Sequence, residues 1–210
     1  MHVRNPWGKG EWTGKWSDKD TSSWTPRMKS LLNYVNADDG SFWMSFEDFC
    51  NQFRNVYICK LHNDWHKVKL SGMWSIGNGT ACGCTNNNNW FNNPQYLLSV
   101  NMDCCVTINV TQSNVEEVES DGSITLKDHY HIGLYVIEHD RRKDRINKGV
   151  RNNKFIASSQ FTAYKVVTQE VELRSNMNYI IIPCTFYKDK ENTFILRVFC
   201  KDAEVSCIQL

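Results

Sequence analysis

Thiols, imidazoles and carboxylates are the groups in this chain that could carry a reaction or hold a metal, and their spacing narrows what each can do. Nine cysteines and six histidines are present. Cys82-Gly83-Cys84 could supply half of a metal site, but no second Cys/His pair at zinc spacing follows it, so a glycine-bearing loop is the better reading. Cys50, Cys59, Cys104, Cys105, Cys184, Cys200 and Cys207 read mainly as small buried hydrophobes. Near the start, Asn5-Pro6-Trp7-Gly8 is followed by Glu11-Trp12-Thr13-Gly14 and Trp16-Ser17-Asp18. Taken alone, Asn5 is a turn residue before proline, and Glu11, Asp18 and Asp39 are solvated loop acids. Trp7, Trp12, Trp16, Trp24 and Trp43 could stack on a glycan or a single-stranded nucleic acid, but no basic groove accompanies them, which favours packing. Arg141, Arg142, Lys143 and Arg145 sit in a turn between two expected strands. A solvated turn is the default there, and such a cluster would also attract anionic phospholipid or an acidic loop. Residues 116–122 are an acidic stretch of that kind.

The elements that must position these groups are bounded by composition. With 210 residues and 24 basic against 23 acidic side chains, the chain is a soluble globular protein rather than a nucleic-acid binder. All eight tryptophans fall at or before Trp90, while the remainder is rich in Val, Ile, Thr, Tyr and Asn, so two domains are expected. No apolar run is long enough to span a bilayer, the longest lying near 179–183, and the first residues have no signal-peptide character. An odd cysteine count with no regular spacing argues for a reducing compartment. A cytoplasmic location is therefore expected, any membrane association belonging to a longer parent protein. The sequons Asn78-Gly79-Thr80 and Asn109-Val110-Thr111 would be silent there.

Thr25-Pro26 is a helix start, and Met28, Leu31, Leu32 and Val35 recur at helical spacing after it. Asp39-Gly40 predicts a turn and 42–44 a short strand. Ser45 with Asp48 caps a second helix whose apolar face is Phe46, Phe49, Cys50 and Phe53, and 56–61 returns as a strand. From about His66 onward alternation predicts strands at 67–74, 95–100, 104–111, 131–138, 155–161, 164–173, 179–186 and 193–201. Gly, Asn, Asp and charged turns separate them, as in an antiparallel β-sandwich.

The Asn-bearing loop, helix, Asp-Gly turn, Phe42-Trp43-Met44 and second helix together resemble the last part of the protease core of a calpain, a papain-like cysteine peptidase. Gly72-Met73-Trp74, Thr80 to Cys84, Asn93-Pro94-Gln95 and Phe194 to Phe199 resemble the opening and last strand of the calpain C2-like β-sandwich. The Thr25-Pro26 helix and a short Asn101-Met102-Asp103 loop look more like the phytocalpain type. The resemblance implies an α+β fragment of a papain-like core at 1–64, followed at 65–210 by an all-β antiparallel sandwich.

It also implies roles. Asn5 would accept a hydrogen bond from the catalytic histidine and so fix its tautomer, with Trp7 shielding that bond. The nucleophilic cysteine and the histidine are expected upstream. None of His2, His62, His66, His129, His131 and His139 has the family's Gly-His-Ala setting, and no cysteine has its Gln-x-x-x-x-Cys-Trp setting, so this chain alone should be inactive. Glu11, Asp18 and Asp39 fall on family calcium-ligand positions, while Ser41 stands where the pattern has an acid, implying a weakened calcium site. The implied partners are protein substrates and the remainder of the protease core. The alternative is a non-catalytic sandwich that docks lipid or protein and keeps a vestigial peptidase edge.

Overall fold

The computed structural model describes residues 1–56, 58, 62–139, 144–147 and 154–210, and divides into two compact units, Met1–Lys60 and Leu61–Leu210. In the first, β1 (His2–Arg4) is followed by a long loop, α1 (Pro26–Leu31), β2 (Ser41–Trp43) and α2 (Phe46–Gln52). β1 and β2 pair antiparallel, Val3 opposite Phe42. The helix starts are as the sequence dictates: Thr25 Oγ1 accepts from the Met28 amide, and Ser45 Oγ from the Asp48 amide. Neither helix buries a residue, and Leu31 and Phe46 are 75% and 68% exposed. This unit buries Trp24, Phe42 and Met44, the Trp24 ring centroid lying 4.4 Å from that of Tyr34 and 5.3 Å from that of Trp16. The strand expected at 56–61 falls largely outside the described residues.

The second unit is built from β3 (His66–Trp74), β4 (Tyr96–Val100), β5 (Cys104–Gln112), β6 (Val115–Val118), β7 (Ile124–Lys127), β8 (Ile132–His139), β9 (Lys154–Ser158), β10 (Val166–Leu173), β11 (Asn178–Thr185), β12 (Asn192–Cys200) and β13 (Val205–Gln209). Its pairings are antiparallel. One sheet runs β10-β5-β12-β3 and the other β13-β4-β11-β8-β9, while β6 and β7 form a separate hairpin that carries the acidic stretch. The two larger sheets enclose Trp74, Leu98, Ile108, Leu134, Ile181 and Phe194 among others, a β-sandwich core. Eight of these strands lie where alternation places them, with ends shifted by one to three residues.

β8 and β11 depart from simple alternation because the five-stranded sheet is covered on its second face as well. Ile137, Ile180, Ile182 and Cys184 are buried there under Trp90, Phe91, Phe161 and Phe186. A strand wetted on neither side reads as a continuous apolar run. The loop that supplies part of this cover is locked by buried amides. Asn93 Nδ2 donates to the carbonyls of Gly83 and Trp90, both at 2.7 Å, and Gln95 exchanges bonds with the backbone of Ile146. Cys82 and Cys84 are buried in that loop on either side of Gly83, whose φ of +73° permits the turn, so the Cys-Gly-Cys motif is structural. Among the described residues no helix is long and apolar enough to cross a membrane.

Candidate functional site

Asn5 leaves β1 still in the ladder, its amide donating to the Gly40 carbonyl at 2.7 Å. Pro6 then fixes a tight turn in which the Gly8 amide returns to the Asn5 carbonyl at 3.0 Å. Both hydrogens of the Asn5 side-chain amide are occupied, by the carbonyls of Lys9 at 2.8 Å and Gly10 at 3.2 Å. Its oxygen accepts from the Trp7 amide at 3.1 Å, leaving the second lone pair of that oxygen for another donor. The side chain is thus locked in rotation with its acceptor outward. Trp7, next along the turn, is 85% exposed.

A second turn holds the first. Gly40 has φ +82°, and a Cβ there would meet the Asn5 carbonyl oxygen at 2.8 Å, so only glycine fits this crossing. Glu11 Oε1 accepts from the amides of Asp39 at 3.1 Å and Gly40 at 3.0 Å, and Asp18 Oδ2 accepts from the Ala37 amide at 3.1 Å. Two carboxylates therefore clamp the 37–40 turn, and that turn anchors Asn5. Both also lie near the Tyr34 hydroxyl, whose pKa is raised by burial first and then by the charge of Asp18.

Asp39 goes elsewhere. Its Oδ1 accepts from the Ser41 amide at 2.7 Å, and hydrogen bonds from Ser41, aided by the charges of Arg4 and His2, hold its carboxyl below the usual range. The implied set Glu11, Asp18 and Asp39 is consequently not a cage of three converging carboxylates. Among the described residues no three of His, Cys, Asp and Glu are grouped so as to hold a metal ion. The reason is local: an Asp two residues before Ser41 closes its own turn more readily than it reaches across to Glu11. Asp18 Oδ1, by contrast, is buried with no hydrogen-bond partner. A buried carboxylate oxygen left this way calls for a water or a cation.

Asp20 is a loop organiser that sequence reasoning passed over. It accepts from the amides of Trp16, Ser22 and Ser23 and from the Ser22 hydroxyl, and the Ser23 side chain first, then the Trp16 amide and Ser22, hold its carboxyl far below the usual range. The signal was available, since Asp followed two residues later by Ser is an Asx-turn pattern. Of the basic cluster, Arg141, Arg142 and Lys143 lie outside the described residues. Arg145 spends its guanidinium on the carbonyls of Leu210 at 2.9 Å and Asn93 at 3.1 Å, a structural tie within the sandwich.

The described thiols offer no activated nucleophile. Burial pushes Cys184 well above the usual thiol range and Cys207 to about 12. Cys104 is likewise raised to about 12, by burial and by the adjacent Cys200 thiol. Alkylation under native conditions should therefore label Cys50 and Cys105, the two exposed cysteines among the eight described, and spare the rest, as read by peptide mass spectrometry. Early labelling of Cys184 would show that the core is open.

The chain thus joins a small unit, with Asn5 held by three side-chain hydrogen bonds, to a β-sandwich that holds most of the apolar core. Residues 70–199 match the family model described as calpain large subunit, domain III, and residues 1–60 match that of the calpain family cysteine protease; the chain belongs to the calpain family. Mouse (Mus musculus) calpain-5 is 30% identical over 227 residues, covering 100% of this chain and 34% of that protein. The chicken (Gallus gallus) calpain-1 catalytic subunit is 32% identical over 229 residues, covering 95% of this chain and 31% of its own length. The calpain-type cysteine protease DEK1 of Arabidopsis thaliana is 28% identical over 220 residues, covering 96% of this chain and 10% of its own length. The chain thus spans about a third of the animal relatives it matches and a tenth of this plant one.

Proposed function

We propose that Met1–Lys60 is the closing part of a papain-like catalytic core and that the whole protein is a cysteine endopeptidase acting on protein substrates. In this reading Asn5 accepts the hydrogen bond of one imidazole nitrogen of the catalytic histidine, so that the other nitrogen can take the thiol proton, and Trp7 covers that bond from water. The nucleophilic cysteine and the histidine come from the remainder of the core, and the sandwich is regulatory. The observation that carries the reading is the Asn5 side chain, fixed by three hydrogen bonds with one lone pair of its oxygen still to be used. Support also comes from the exposed apolar faces of α1 and α2, since an orphaned part of a larger core leaves such faces uncovered.

The test is to express this chain with the upstream coding sequence of its gene and assay casein hydrolysis with and without a thiol reagent. Thiol-sensitive hydrolysis by the longer protein, with none by this chain alone, is expected. Upstream sequence without a Gly-x-Cys-Trp or a Gly-His-Ala motif would end the peptidase reading.

Weak calcium binding in the loops around Glu11 and Asp18 belongs to the same proposal. What supports it is the unpartnered Asp18 oxygen, with backbone carbonyls making up for Asp39. Calorimetry should find that Asp18→Asn weakens calcium about tenfold or more and that Ser41→Glu tightens it, because charge count sets affinity at hard-oxygen sites. Equal affinity in parent and both variants would remove calcium from the account. Anionic phospholipid is supported only by the charge of Arg141, Arg142 and Lys143. A cytoplasmic location rests on the nine cysteines, of which the eight described are thiols.

A further inference from the structure

At one end of the four-stranded sheet, the outward side chains of β3, β5 and β12, including Met73, Thr111 and Ile195, floor an open groove of about 640 Å³. Glu116 and Glu191 stand on its rim, Glu191 accepting from the Ile76 amide at 2.6 Å, and the cations beside it are engaged, Lys165 donating to Asn114 at 3.1 Å and Arg197 to Thr111 at 3.0 Å. Glu116 lies in the first strand of the β6–β7 hairpin, whose register sets Glu116 opposite Leu126 and Val118 opposite Ile124. Residues directly opposite share a face, so Glu116, Leu126, Val118 and Ile124 form one surface. Its three aliphatic side chains are 70%, 62% and 68% exposed at Val118, Ile124 and Leu126. The opposite face is polar, with Lys127 paired to Glu117 and Thr125 donating to Glu119. An apolar face on a two-stranded hairpin, contiguous with a groove, marks an interaction site, because a lone hairpin is marginal without a partner.

Charge decides the partner. Residues 114–128 hold five acids and one lysine, and that lysine is already paired. A second copy of this chain would bring acids against acids, and an anionic membrane would be repelled likewise. We propose that the groove and the hairpin's apolar face together dock an extended, basic segment of a partner protein. Lys or Arg side chains in one part of it meet Glu116 and Glu191 at the groove, and aliphatic side chains in the next part lie on Val118, Ile124 and Leu126. Extended backbone suits the site because the hairpin's strand edges can accept one more strand.

The test uses the full chain and a fluorescent seven-residue peptide with lysines in one half and valines in the other, read by anisotropy, beside a counterpart with glutamates in place of the lysines. The lysine peptide should bind and the glutamate peptide should not. Added salt, Glu116→Lys and Leu126→Thr should each weaken binding about fivefold or more, with the melting temperature of the sandwich unchanged because both positions are on the surface. Equal binding of both peptides, or variants that bind like the parent, would overturn the proposal. So would dimerisation abolished by Leu126→Thr, or binding seen only with phosphatidylserine vesicles.

Discussion

Replacing Asn5 by alanine in the longer protein is expected, on the proposed peptidase function, to lower kcat by about two to four orders of magnitude while leaving KM within about twofold. In the proposed function the interaction lost concerns the imidazolium that forms during reaction, so its loss should act on the transition state and little on substrate binding. A merely structural Asn5 would behave differently. Alanine removes the bonds to Lys9, Gly10 and the Trp7 amide, and loop loosening alone would spread its cost over KM and thermal stability. Asn5→Asp separates the two roles, since it keeps an acceptor for the Trp7 amide but loses both donors. If Asn5→Ala retains full kcat, the orienting role is wrong whatever the loop does.

Trp74→Ala should produce the largest loss of stability of any single truncation in the sandwich. The indole is fully buried, its ring centroid lies 4.5 Å from that of Phe194, and its Nε1 donates to the Pro183 carbonyl at 3.0 Å. Truncating a buried Trp costs about 3–5 kcal/mol, and stranding the carbonyl adds about 1–3 kcal/mol. Domains of this size have roughly 5–15 kcal/mol in all, so the variant should be partly unfolded at ambient temperature. Trp7→Ala, at an 85% exposed position, should change stability by less than about 0.5 kcal/mol. Urea melts of both variants check the contrast. A Trp74→Ala midpoint close to the parent's would show that the inter-sheet core does not carry the fold.

What the sequence made legible follows from how local each cause is. Helix caps at Thr25 and Ser45 and the strands of the sandwich depend on residues a few positions apart, and they are where local pattern puts them. β6 and β7 were not anticipated because Glu116 and Glu117 disfavour strand, and their pairing comes from the turn at Asp121-Gly122. β13 was missed because Asp202, Ala203 and Glu204 break the pattern and Val-Ser-Cys-Ile-Gln is short and half polar. At the candidate site, the turn around Asn5 is local and could be read. The use of Glu11 by amides 28 and 29 residues away could not, since nothing in the intervening sequence announces it. The Asp39 hydrogen bond to the Ser41 amide, by contrast, is local and follows the Asx-turn pattern.

β13 does more than add a fifth strand. It lies along β4, whose Tyr96, Leu97, Leu98 and Val100 are buried, and among the described residues no further strand pairs with its outer edge. Without it, the sheet would end on a flat, aliphatic strand with unpaired amides and carbonyls, the template on which cross-chain β-aggregates grow. With it, the edge shown to the surroundings is short and mixed, with Ser206 and Gln209 among its side chains. These few weakly patterned residues thus act as a solubility guard, shielding the protein from polymerising on itself.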